Sequence, residues 1–120
     1  MYPLVIYRDW GLKDYGDRGL VAHEVTHVAQ WLAGVLLGLL ATFILRAIGC
    51  PGGEAVAGLS IGLHAVLYVA APEYREWAEA QAYRRQLRYY ADDRRELFAK
   101  FLAQRYDLHL TEAEALEKLK

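Results

Sequence analysis

The sequence predicts a mainly α protein: a helix bundle with a long apolar helical hairpin and one short N-terminal strand. Two uncharged runs of nearly equal length are separated by a glycine- and proline-containing turn, which is typical of a helical hairpin. A charged segment without Gly or Pro follows residue 72 and favours further helices. At 120 residues, the chain is expected to form a single domain, residues 1–120.

The N-terminal region predicts a strand and then a loop. Residues 4–7 are β-branched or aromatic and form a short run, which indicates a strand. Glycines and aspartates then mark a loop, and a helix should begin between Asp17 and Leu20. A lone strand needs a partner, so residues 4–7 either pack within the protein or bind an extended peptide substrate.

The predicted hairpin covers residues 28–72. No charged residue occurs from Val28 to Leu45, a run of about 18 residues that is close to the length needed to span a bilayer. A turn at residues 49–53 leads into a second uncharged run, Ala55 to Pro72. The pairs Gly34/Gly38 and Gly58/Gly62 have the four-residue spacing that lets helices approach closely in membranes.

Three environments could cover this apolar hairpin. A membrane is the first, and the second is the interior of a soluble α-protein, although 120 residues can hardly cover two helices that are apolar on every face. Homo-oligomerisation is the third, because it would bury the same surface. If the hairpin inserts, the excess of Lys and Arg near the termini predicts that this end is cytoplasmic.

The C-terminal third should be helical and solvated. The segment from Glu73 to Tyr106 predicts one long helix or two, with an apolar stripe at helical spacing. Thr111 and Glu114 have the spacing of a capping box, so a last short helix should follow. This helical tail, about residues 107–120, could cover a cleft.

Composition argues against nucleic-acid binding and against secretion. Fourteen basic and fifteen acidic residues leave the chain almost neutral, so nucleic-acid binding is not expected. The single cysteine, Cys50, cannot form an internal disulfide and suits a reducing compartment. The N-terminus lacks the pattern of a cleavable secretion signal, so a cytoplasmic or membrane-associated location is expected.

The residues with the clearest chemistry are His23, Glu24 and His27. Histidines four residues apart on a helix project from one face, so both imidazoles can bind one Zn²⁺. Glu24 can then accept a proton from the water that the metal activates. Catalytic zinc needs three protein ligands and one open position, so a third ligand is required.

The hairpin indicates where that third ligand lies. Because the two arms are of equal length, the chain returns near Pro72 to the end where His23 and His27 lie. Glu79 is the favoured ligand because alanines flank it and allow close helix packing, and Glu76 is the alternative. Any of these glutamates could instead belong to a solvated helix face.

The chain resembles the gluzincin group of zinc metallopeptidases, and more closely small metallopeptidase-like proteins of phages and bacteria. The resemblance covers about residues 4–90 and rests on these matching residues: His23, Glu24, His27, Gln30, Trp31, Glu79, Ala82 and Tyr83. It implies that His23, His27 and Glu79 bind Zn²⁺, that Glu24 is the general base, and that the substrate is a peptide or protein.

One position departs from the pattern of thermolysin-like enzymes. They place an aspartate four residues after the ligand glutamate, where it orients the first histidine, and this chain has Tyr83 there. The phenol could take over that role, or the support could come from elsewhere. Tyr83 is also the nearest candidate for a catalytic hydrogen-bond donor to the oxyanion, with Tyr90 and His64 behind it.

Two other functions remain open on sequence grounds. The chain could be a small helical structural or membrane protein, phage-encoded or not, with a structural or vestigial metal site. It could also be an interaction module whose Arg- and Tyr-rich helix, from Glu76 to Tyr106, binds a partner protein.

Overall fold

The structure, a computed structural model, describes residues 17–120. It contains five helices in this range: α1 (Arg18–Ala47), α2 (Gly53–Ala70), α3 (Pro72–Leu87), α4 (Arg95–Arg105) and α5 (Glu112–Lys118). No strand occurs among residues 17–120, so the mainly α prediction is confirmed for this part of the chain. The predicted strand at residues 4–7 lies outside the described residues.

Helix α1 is a continuous helix that joins the histidine motif to the first hairpin arm. Its N-cap is Asp17, whose side chain accepts a hydrogen bond from the Leu20 amide at 3.0 Å and so satisfies a free helix-end donor. The Tyr90 hydroxyl donates to the same carboxylate at 2.7 Å, which ties the start of α1 to the end of α3.

The predicted hairpin forms between α1 and α2. Gly49 (φ 71°) and Gly52 (φ 86°) take left-handed backbone conformations in the turn, where glycine has no Cβ to clash. Close packing involves Gly38, where an added Cβ would come within 2.1 Å of the Ser60 Cβ. At Gly34, Gly58 and Gly62 a Cβ would meet no described atom within 4 Å, so the predicted role in close approach holds for Gly38 alone.

The two arms bury small and polar residues and expose large apolar ones, which is the reverse of the usual pattern in a water-soluble protein. The buried residues of α2 are small or polar, namely Gly53, Ser60, His64 and Tyr68. Large apolar side chains point outward along both arms, including Leu37 at 67% exposure and Leu59 at 74%. The arms therefore contact each other through polar and small groups and present an apolar surface to their surroundings.

The C-terminal segment forms two helices after α3 and its own apolar core. The segment from Glu73 to Tyr106 contains two helices rather than one long helix, because the chain turns between Leu87 and Arg95. The predicted capping box is present, with Thr111 and Glu114 bonded reciprocally at the start of α5. The core cluster consists of Ala80, Tyr83, Phe98, Ala99, Leu102, Leu108, Ala115 and Leu119.

Candidate metal centre

Two histidines and a glutamate meet where the hairpin joins the C-terminal helices. His23 and His27 project from one face of α1, and their Nε2 atoms lie 3.2 Å apart. Glu79, about two turns into α3, places one carboxylate oxygen 3.3 Å from Nε2 of His23 and the other 3.4 Å from Nε2 of His27. The hairpin thus returns Glu79 to the two histidines, as its equal arms predict.

The geometry of this cluster fits a metal ion. In a tetrahedral zinc site with ligand atoms about 2.0–2.1 Å from the metal, neighbouring ligand atoms lie about 3.3–3.4 Å apart. The two Nε2 atoms are 3.2 Å apart, and each lies 3.3 or 3.4 Å from its own oxygen of the Glu79 carboxylate, Oε2 for His23 and Oε1 for His27. His23, His27 and Glu79 are all buried, and together they form a group that could hold a metal ion.

The charge of Glu79 also favours a bound cation. The residue is 1% exposed, and its Oε2 atom has no hydrogen-bond partner among the described residues. Burial alone would raise the pKa of Glu79, but His23, His27 and the Tyr68 hydroxyl together lower that pKa to about 2. The carboxylate is therefore negative at neutral pH, and a buried negative charge is stable when it is paired or coordinates a metal.

Gln30 determines the tautomer of His27. Its amide nitrogen donates to the Ala78 carbonyl oxygen at 3.1 Å and to Oε1 of Gln81 at 3.2 Å, so its own oxygen must face His27. That oxygen lies 3.0 Å from Nδ1 of His27, which therefore donates its proton there. In the neutral form of His27, the lone pair is then on Nε2, the atom that faces Glu79, as a metal ligand requires.

Two tyrosines support the Glu79 carboxylate from different elements. Tyr68, near the end of α2, donates a hydrogen bond to Oε1 of Glu79. Tyr106, just after α4, is close enough that burial and then the Glu79 charge raise the pKa of its hydroxyl. The Glu79 carboxylate therefore has one tyrosine beside it from the hairpin and one from the C-terminal helices.

Arg75 holds these two tyrosine-bearing segments together. Its Nη1 donates to the Tyr68 carbonyl oxygen at 2.9 Å, and its Nε donates to the Tyr106 carbonyl oxygen at 2.9 Å. Asp107 follows in a left-handed conformation (φ 52°), and its carbonyl accepts from Nη2 of Arg75 at 3.4 Å. One guanidinium therefore binds the carbonyl ends of α2 and α4 beside the metal centre.

Tyr83 lies at the site, but its hydroxyl does not bond to His23. The ring packs edge-on against the His23 imidazole, with centroids 4.5 Å apart, and the hydroxyl shares a 2.7 Å hydrogen bond with the Tyr106 hydroxyl. Nδ1 of His23 has no hydrogen-bond partner among residues 17–120. Tyr83 thus restrains the imidazole by packing and does not replace the aspartate of thermolysin-like enzymes as an acceptor.

Glu24 lies beside the cluster and outside the ligand set. It is partly buried, and its Oε2 atom is buried without a hydrogen-bond partner in the described part of the chain. Glu24 is thus adjacent in sequence to His23 and separate from the group that could hold a metal ion.

The other candidate residues lie elsewhere or have other partners. Glu76, the alternative ligand, pairs with Lys118 of α5 at 2.7 Å and does not join the cluster. The His64 ring is 6.5 Å from the His27 ring, and its Nδ1 shares a 2.7 Å hydrogen bond with the Tyr74 hydroxyl. Tyr90 donates its hydroxyl proton to Asp17 at the start of α1 and so does not act as a donor at the cluster.

Comparison with protein-family models, with curated proteins and with solved structures finds no match to this chain. The gluzincin resemblance therefore stays an interpretation of the motif. The structure itself shows a buried cluster of two histidines and one glutamate that could hold a metal ion.

Sequence reasoning did not single out Tyr68, Tyr106 or Arg75. Tyr68 is four residues after His64 and four before Pro72, so helical spacing could have placed it at the end of the hairpin that faces the site. Tyr106 and Arg75 carry no such local signal, since their roles depend on how α4 packs against α3.

Proposed function

We propose that the chain is a zinc-dependent metallopeptidase in which His23, His27 and Glu79 hold the metal. The observation that carries this proposal is the convergence of His23, His27 and Glu79 next to Glu24, whose Oε2 has no hydrogen-bond partner among the described residues. Imidazole and carboxylate are the ligands of catalytic zinc, and a set of three leaves one position open. A structural zinc site would be expected to have a fourth protein ligand.

The chain's own residues would divide the work of peptide hydrolysis. Zinc, when bound, would lower the pKa of a water molecule and polarise the substrate carbonyl. Glu24 would accept the proton from that water at its unpaired Oε2 and return it to the leaving amine. Gln30 would keep His27 in the ligating tautomer, while Tyr68 and Tyr106 would hold the Glu79 carboxylate in place.

Metal analysis of the purified protein tests this proposal directly. We expect close to one zinc per chain, and we expect a chelator to abolish peptide hydrolysis until zinc is added back. Hydrolysis that persists after complete removal of the metal would contradict the proposal. A protein that purifies without zinc and binds none on addition would contradict it equally.

We further propose that the α1–α2 hairpin crosses a membrane. Both helices are long and apolar enough to do so, and only 6% and 22% of their most apolar windows are buried. The polar contacts between the arms support this proposal, because helices in lipid associate through small and hydrogen-bonding residues. Arg46 is the one basic residue between Val28 and Pro72, so the positive-inside rule would place the metal centre on the cytoplasmic side.

Cys50 allows a direct test of this topology. It is exposed in the turn between α1 and α2, at the opposite end of the hairpin from the metal centre. In sealed vesicles, we expect a membrane-impermeant maleimide to label Cys50 from one side only. In a Cys50→Ser background, a cysteine introduced by Lys100→Cys on the exposed face of α4 should be labelled from the opposite side.

Two outcomes would contradict a transmembrane hairpin. One is labelling of both cysteines from the same side of the vesicle. The other is a stable, detergent-free monomer in aqueous solution, since a monomer would leave side chains such as Phe43 and Val69 in water at 72% and 76% exposure.

A further inference from the structure

The exposed side chains in line with Glu24 on α1 are apolar. Side chains four residues apart along a helix form a ridge, and the ridge through Glu24 has this sequence: Leu20, Glu24, Val28, Leu32, Leu36 and Leu40. Leu20 and Leu32 are both 47% exposed, and Leu36 and Leu40 are 58% and 55% exposed. Glu24 is thus the one polar member of this ridge, which we call the Glu24 ridge.

The Glu24 ridge connects the metal centre to the hairpin without a break. Val28 is the first residue of the uncharged run, and Glu24 precedes it by four residues, about 6 Å along the helix. If the apolar segment of another polypeptide packs along the hairpin beside Val28 to Leu40, the residues that directly flank that segment therefore lie beside Glu24. The same one-turn offset places the reacting groups at the edge of the apolar layer.

Aromatic residues also lie near this end of the hairpin, on α1 and on α3. Trp77 lies in the second turn of α3 at 45% exposure, and Tyr74 lies one turn before it. Trp31 of α1 donates from its indole nitrogen to the Ile61 carbonyl oxygen of α2 at 2.8 Å. Tryptophan and tyrosine concentrate where a membrane meets water, so the metal centre lies beside the expected interface.

From these observations we propose that the substrate is a membrane-inserted polypeptide, and that its apolar segment docks on the Glu24 ridge. The peptide bond that reaches Glu24 is then one that lies just outside the apolar layer. This inference rests on the proposed peptidase function and on the proposed membrane hairpin. It is favoured over an extended soluble peptide because the side chains before and after Glu24 on its ridge, Leu20 and Val28, are apolar.

The test compares one cleavable sequence in two forms. A mixed-sequence linker is attached to a model transmembrane segment of leucine and alanine and placed in phosphatidylcholine vesicles with the zinc-loaded full chain. The same linker is supplied as a free peptide. We expect cleavage within the first few residues outside the transmembrane segment, and a kcat/KM at least about tenfold lower for the free linker.

A pair of matched variants tests the docking surface. Leu32→Ser changes the Glu24 ridge, whereas Leu59→Ser makes the same change at an equally apolar, exposed position on α2. We expect Leu32→Ser to lower kcat/KM for the membrane substrate about tenfold, Leu59→Ser to leave it unchanged, and both proteins to bind zinc like the wild type.

The outcomes separate this inference from the proposed function. Equal cleavage of the free and the membrane-attached linker would overturn the substrate inference and leave the peptidase proposal intact. Equal effects of Leu32→Ser and Leu59→Ser would overturn the assignment of the Glu24 ridge as the docking surface. A zinc-loaded protein that cleaves neither form of the linker would overturn the peptidase proposal itself.

Discussion

Replacing Glu24 by Gln is expected to lower kcat for peptide hydrolysis by orders of magnitude while zinc stays bound. The amide keeps the shape of the side chain but cannot accept the proton from the attacking water. General acid–base catalysis contributes about 10²–10⁴-fold to such reactions, so kcat should fall by a factor in that range. Glu24 does not belong to the ligand set, so zinc content should remain close to that of the wild type.

The matched control for this prediction is Glu73→Gln. Glu73 lies in the first turn of α3, is exposed and does not join the cluster, so the same chemical change there should leave both kcat and zinc content unchanged. If Glu24→Gln binds zinc and hydrolyses peptides at the wild-type rate, Glu24 is not the base. If the wild type and both variants bind zinc and none of them hydrolyses a peptide, the metal site is structural.

Replacing Glu79 by Ala is expected to eliminate high-affinity zinc binding. The change removes the only carboxylate of the His23, His27 and Glu79 cluster and leaves the two imidazoles. Loss of a residue that merely orients a ligand costs about 10–100-fold in metal affinity, so loss of the ligand itself should cost more. The measurement is the zinc dissociation constant by competition with a chelating dye.

Glu76→Ala is the corresponding control. Glu76 is on the same helix three residues earlier, but it pairs with Lys118 on α5. Its removal should leave zinc affinity unchanged and cost little stability, because a partly exposed ion pair contributes about 0–1 kcal/mol. A stronger effect of Glu76→Ala than of Glu79→Ala on zinc affinity would reverse the ligand assignment. Circular dichroism of each variant checks that it keeps its helices.

Much of the fold follows from local signals in the sequence. The absence of charge from Val28 to Leu45 and the glycines of the turn predict the hairpin, and both arms form there. The capping box at Thr111 is confirmed because it depends only on residues three positions apart. The chain has no Gly or Pro at the break between α3 and α4. The sequence therefore did not decide whether this segment forms one helix or two.

The packing of the arms was harder to predict. Four glycines had the spacing of a close helix contact, yet Gly38 alone of those four lies against the opposite arm. Which face of a helix meets its neighbour depends on rotation about the helix axis, and glycine spacing leaves that rotation undetermined when several faces carry small residues. The polar groups buried between the arms reveal the contact face only once the structure is known.

For the candidate metal centre, the sequence by itself determined the two histidines, the adjacent Glu24 and the end of the hairpin where a third candidate ligand lies. Those features depend on the four-residue helix repeat and on equal arm lengths. Only the tertiary structure decided between Glu79 and Glu76, because residues three apart differ by just about 60° around a helix. It also assigned Gln30, Tyr68 and Tyr106 their places, since their contacts join helices that are far apart in the sequence.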